Sequence, residues 1–117
     1  MMLYLGRNIR YPRTASNYGL EAQTVVKFIV EADGTVSNVH IAQNRITVED
    51  RKPFQRLSGD EKKRTRERAL EMFAEEAIRV VQSMPKWKPG IRNGVPIRVE
   101  YELPVNFRID YGGNVTG

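Results

Sequence analysis

No cysteine occurs in the 117 residues, and histidine occurs once, at position 40. The first absence removes disulfides and thiolate metal sites; the second leaves no second imidazole to complete a zinc site. His40 alternates away from Val39 and Ile41, so it is expected on a solvated sheet face. No apolar run approaches the roughly 18–20 residues that cross a bilayer, and the opening MMLYLG is shorter than a signal-peptide core. The stretch is therefore expected to be soluble as it stands. Glycines fall in ADGT, LSGD and PGIRNG, none of which leads from a strand into a helix as a phosphate cradle does. The acid pairs Asp60/Glu61 and Glu75/Glu76 fit the polar face of a helix. With no positioned nucleophile, base or ligand set, neither an enzyme nor a bound cofactor or metal is expected.

Acidic residues are outnumbered, 14 against 19 Lys and Arg, giving a net charge of +5 and a pI near 9.7. Such a balance raises nucleic acid or an anionic membrane as a partner. Yet residues 49–79 hold nine Lys or Arg against eight Asp or Glu, so the densest charge run nearly cancels and reads as a solvated helix face. A nucleic-acid platform also needs exposed strand aromatics, whereas Phe28, Tyr101 and Phe107 fall on faces assigned to the core. Nucleic acid is not expected as a partner.

What is present is an ordered series of patterns. Tyr11-Pro12 is a stiffened, extended pair, followed by a short helix or turn over 13–18 and a turn glycine at 19. Thr24, Val26, Phe28 and Val30 alternate with Val25, Lys27, Ile29 and Glu31 as a first strand. Asp33-Gly34 predicts a tight hairpin with two successive positive φ angles. In the second strand the step from Val36 to Val39 breaks period two, which predicts a bulge near Ser37-Asn38. Residues 44–59 read as a polar loop with one short turn or strand near 46–48. Ser58 and Glu61 match a capping box, and Leu70, Phe73, Ala77, Val80, Val81 and Met84 form one apolar stripe that Pro85 ends. Odd residues from Val95 to Ile109 are apolar and even ones polar or proline, which predicts one long strand with a buried and a wet face.

The expected fold is α+β, with a three-stranded antiparallel sheet in the order 2-1-3 and one long helix on one face. One domain is expected over 1–117: an arm over 1–20, a core over 21–109 and a loose tail over 110–117. Trp87 should close the core where the helix meets the last strand, with Pro89, Gly90, Gly94, Asp33 and Gly34 serving turns. Pro96 and Pro104 share one parity, and a proline lacks an amide donor. Even residues therefore face outward, and 95–109 is an edge strand that offers its backbone at Arg98, Glu100, Glu102 and Asn106.

Over residues 10–109 the chain resembles the C-terminal domain of TonB. The resemblance is carried by Tyr11-Pro12, by EAQTVVKFIVEADGTVSNVHI at 21–41 and by MPKWKPGIRNGVPIRVEYELPVNFRI at 84–109. Two departures are Ala22, where that family commonly has Gly, and a longer, more charged stretch over 43–68. The resemblance implies a periplasmic binding module that grips the N-terminal box of an outer-membrane transporter and passes on inner-membrane energy. An inner-membrane anchor, a Pro-rich linker and contact with a proton-channel complex would belong to a parent protein. The residues expected to meet the guest are Arg98, Val99, Glu100, Tyr101, Glu102, Leu103, Val105, Asn106 and Phe107, with Arg10, Tyr11 and Pro12 of the arm. The basic residues Arg7, Arg10 and Arg13 fit ordinary solubility, or steering toward acidic receptor plugs or lipid head groups. A second reading keeps the fold and makes the chain a regulatory or envelope-assembly module of a membrane sensor. In either case a second copy could pair through the same strand.

Overall fold

The structure is a computed structural model that describes residues 8–109 and the backbone of 115–116. A short helix, α1 (Arg13–Tyr18), leads through Gly19 into β1 (Glu21–Val30). Ala22, Thr24, Val26, Phe28 and Val30 are buried on one face of β1, while Gln23, Val25, Lys27 and Ile29 are half-exposed on the other. Being apolar on one face and partly so on the other, β1 takes the middle of the sheet. It pairs antiparallel with β2 (Val36–Val48) and with β5 (Val99–Ile109). A two-residue β6 (Val115–Thr116) returns along the outside of β5 at Arg108 and Ile109. The three long strands thus stand in the expected order, and the tail contributes a fourth.

The hairpin between β1 and β2 closes at Asp33-Gly34, with a different turn from the one expected. The Glu31 amide donates to Thr35 O at 2.8 Å, the Gly34 amide donates to Glu31 O at 2.9 Å, and of Asp33 and Gly34 only Gly34 has a positive φ, at 86°. A three-residue loop closed by one left-handed glycine needs no second positive φ. Asp33 Oδ1 accepts from the Thr35 amide at 2.9 Å and from its hydroxyl, which holds the loop. The expected bulge is there: Lys27 faces His40 while Ile29 faces Ser37, and Asn38 has φ 50°.

Residues 44–59 are not one loop. β2 continues to Val48 with further register shifts opposite 21/22 and 25/26, and a one-turn helix, α2 (Lys52–Gln55), follows. Each bulge reverses the parity of the side chains, which is why plain alternation does not show the strand. α2 inserts Phe54, fully buried, into the end of the core. Arg51 donates to Gly19 O at 3.0 Å and pairs with Glu21 at 3.3 Å, while Arg66 pairs with Glu49 at 3.0 Å and lies over the Phe54 ring. The charged stretch is an end-cap on the core.

α3 (Gly59–Gln82) starts at the capping box formed by Ser58 and Glu61 and lays Ala69, Phe73, Ala77, Val80 and Val81 on the sheet. These meet Val26, Phe28, Val105 and Phe107, with Leu20 and Ala15 at one end. The thinnest dimension, 17 Å, fits one sheet and one helix layer, so the second sheet face stays in water.

The strand expected over 95–109 is interrupted. Gly90–Arg92 (β3) and Val95–Ile97 (β4) form a separate hairpin around Asn93-Gly94, whose φ angles are 51° and 77°, and Arg98 is the break before β5. Asn-Gly with both φ positive is the two-residue turn that matches strand twist. Alternation ran on through Arg98 and concealed it.

Candidate partner-binding edge

β5 is paired with β1 from Val99 to Phe107 without a register shift, and β6 covers only Arg108 and Ile109 on the other side. The Ile109 amide donates to Glu21 Oε2 at 3.1 Å, so it points toward β1. The two-residue repeat then turns the amides and carbonyls of Val99, Tyr101, Leu103, Val105 and Phe107 inward. Those of Glu100, Glu102 and Asn106 turn outward, together with the carbonyl of Pro104. Pro104 loses no ladder bond, because its missing donor lies on the open side. Pro96 lies outside this strand, opposite Ile91 in the small hairpin.

The charged side chains of the edge are engaged from behind. Lys27 on β1 lies 3.9 Å from Glu100 and 3.4 Å from Glu102, and Gln23 Nε2 donates to Asn106 Oδ1 at 3.1 Å. Arg98 forms a two-pronged pair with Glu31 at 3.0 and 3.2 Å. The Arg98 guanidinium, and after it the Ser37 hydroxyl, hold the Glu31 carboxyl below the usual carboxylate range. These contacts hold the acids over the sheet face and leave the outward backbone accessible. On the helix side Val99 and Leu103 are half-buried, and Tyr101 is 36% exposed while stacked on Phe28 at 6.1 Å.

Other expected contact residues are occupied elsewhere. Val105 and Phe107 are fully buried, and Phe107 tilts against Phe73 at 4.6 Å. Pro12 is buried, and the Tyr11 ring meets Phe73 and Phe107 edge-on at 5.8 and 6.0 Å. The Tyr11 hydroxyl donates to Leu20 O, and burial, then Glu21, raises its pKa above the ordinary phenol value. The Arg10 amide donates to the Glu76 carboxylate, which Arg79 also holds at 2.7 Å. The arm is clamped to the core here through Tyr11 and Pro12; Arg10 and Arg13 remain exposed, and Arg7 lies outside the described residues. Trp87 is half-buried: it packs on Phe28 at 5.1 Å and Tyr101 at 5.7 Å, beyond the end of α3. Its amide donates to Gly34 O at 2.9 Å.

His40 is exposed, with Nδ1 2.9 Å from Asn38 O. Among the described residues no group of acids and histidines could hold a metal, and no helix is long and apolar enough to cross a membrane.

Residues 65–109, which contain most of α3, Trp87, the small hairpin and all of β5, match the family model of the Gram-negative bacterial TonB protein C-terminal. Over these residues the chain is similar to that family. Among solved structures it is similar to the Helicobacter pylori TonB-CTD, with a TM-score of 0.48 and 18% identity over 92% of this chain and 76% of that one. Comparison with curated proteins gave no match. The matched stretch includes the whole open edge. Sequence reasoning missed the β3–β4 hairpin, although Asn93-Gly94 signalled it, and missed Lys27 as the shared counter-ion, which only cross-strand register reveals.

Proposed function

We propose that this domain is the periplasmic, receptor-gripping end of an inner-membrane-anchored energy transducer. Its guest is an extended N-terminal segment of an outer-membrane transporter, added as a strand along the outside of β5. The observation that carries the reading is that, among the described residues, the outward backbone of Glu100, Glu102, Pro104 and Asn106 has no strand beside it, within a stretch of nine residues, Val99 to Phe107, paired on its inner side alone. Main-chain bonds give such a guest its affinity, and Val99, Tyr101 and Leu103 beside the edge select its side chains. The TonB C-terminal match over the same residues supports that choice of guest. Energy reaches the transporter as a pull along the added strand.

The test is titration of the labelled domain with a transporter N-terminal peptide, followed by amide NMR at dilutions where relaxation reports a monomer, because a second copy competes for the same edge. Shifts should concentrate on residues 99–107. Shifts confined to 45–68, the end-cap, would refute strand addition.

A further inference from the structure

The β3–β4 hairpin stands apart from everything described so far. Among the described residues its ladder is formed only with itself, and residues 91–96 are all exposed. Ile91 and Val95 are 58% and 59% exposed, the two most exposed large hydrophobics among the described residues. An isolated two-stranded hairpin is marginal in water, so its apolar residues are not there to build a core.

We propose that this hairpin is a finger that inserts its tip into the surface of a bilayer containing anionic phospholipid. The register places Ile91 beside Pro96 on one face and Val95 beside Arg92 on the other. Apolar side chains on both faces of a ribbon two strands wide suit a medium that surrounds the tip. A protein partner would meet one face only, and a hairpin this small falls well short of the roughly 1,000 Å² that a stable interface buries.

Charge points the same way. Between Glu76 and Glu100 there is no acidic residue. Lys88 and Arg92 form no ion pair among the described residues, while Arg98 is already held by Glu31. Cations flanking an apolar tip, with a half-buried tryptophan at the base, are the arrangement that settles at a headgroup boundary. At the base, a Cβ on Gly90 would lie 2.6 Å from Val99 Cγ2, so the hairpin joins the sheet beside the start of β5. A tip seated in the bilayer would therefore bring the open edge near a membrane surface.

Trp87 is the single tryptophan and reports on the site directly. The experiment is flotation and Trp87 fluorescence of the whole chain with vesicles of phosphatidylglycerol and phosphatidylethanolamine, against phosphatidylcholine alone. Anionic vesicles should bind the domain, more weakly as salt rises, with a blue shift of the emission. Ile91→Ser with Val95→Ser should lower partitioning more than tenfold. Lys88→Gln with Arg92→Gln should lower it roughly 25-fold, about fivefold per cation. All four side chains are exposed, so thermal unfolding and the transporter-peptide titration should be unchanged in both variants. Absence of binding to anionic vesicles, equal binding to phosphatidylcholine, or full binding by the serine variant would each overturn the proposal.

Discussion

Gly34 is the residue at which two parts of the core depend on one backbone angle. Its φ of 86° closes the β1–β2 loop, its carbonyl accepts from the Trp87 amide, and a Cβ there would collide with the Trp87 carbonyl oxygen. Gly34→Ala therefore meets two obstacles, a left-handed backbone and a backbone collision, and should cost about 2–3 kcal/mol in urea unfolding. Trp87 fluorescence should report the displacement as well. An unchanged midpoint would mean that the loop and the Trp87 segment move apart freely. Trp87 itself rests on Phe28 and Tyr101 without being enclosed. Half-burial halves the usual core cost, so Trp87→Ala should lose about 2 kcal/mol, read as the shift in urea midpoint. A loss near zero would free the indole for partner contact.

Among the elements, α3 begins most sharply, because the Ser58 side chain accepts from the Glu61 amide at 3.2 Å and Glu61 Oε1 accepts from the Ser58 amide at 3.0 Å. Ser58→Ala should cost about 1 kcal/mol, measured by thermal unfolding. The Ser58 amide also holds the Glu61 carboxyl below its ordinary range, as Arg98 does for Glu31 and Thr35 for Asp33. A depressed folded pKa contributes stability that is complete above the unfolded value and is lost as pH falls through the folded one. The denaturation midpoint should be level down to about pH 5 and decline below about pH 4.5, less steeply in Glu31→Gln. A midpoint that rises on acidification would contradict these assignments. The cap, the helix stripe, β1, the Asn38 bulge and the identity of the edge strand were legible because each rests on local chemistry or an unbroken period. The length of β2 was not, since its bulges reverse parity and hide Asn44, Ile46 and Val48 from any alternation count. The β4/β5 break failed for the opposite reason: parity persists across Arg98 although pairing does not. The arm's role was also open in the sequence, because Tyr11-Pro12 reads alike whether it packs or binds, and only the Tyr11 contacts with Phe73 and Phe107 decide it.

At the scale of the whole molecule, the sheet has a centre fixed by β1 and an edge fixed by the parity of Pro104. That parity makes a test in which fold and partner binding separate. Glu102 sits outward and opposite Lys27, while Leu103 sits inward opposite Val26. Proline at 102 would remove an amide that bonds nothing in the sheet, and its side-chain loss breaks only an exposed ion pair, which is worth little. Proline at 103 would remove a bond of the β1–β5 ladder inside a packed sheet, at a cost of about 3 kcal/mol or more. Glu102→Pro should therefore unfold close to the wild-type midpoint and yet lose transporter-peptide binding at least tenfold, since the guest strand loses one of three outward donors and meets a ring in its path. Leu103→Pro should lose stability first. To separate charge from backbone, Glu102→Gln should keep both stability and peptide affinity. Peptide titration and urea unfolding of the three variants together decide the matter: if Glu102→Pro binds as tightly as Glu102→Gln, the guest does not lie along the outward backbone of β5.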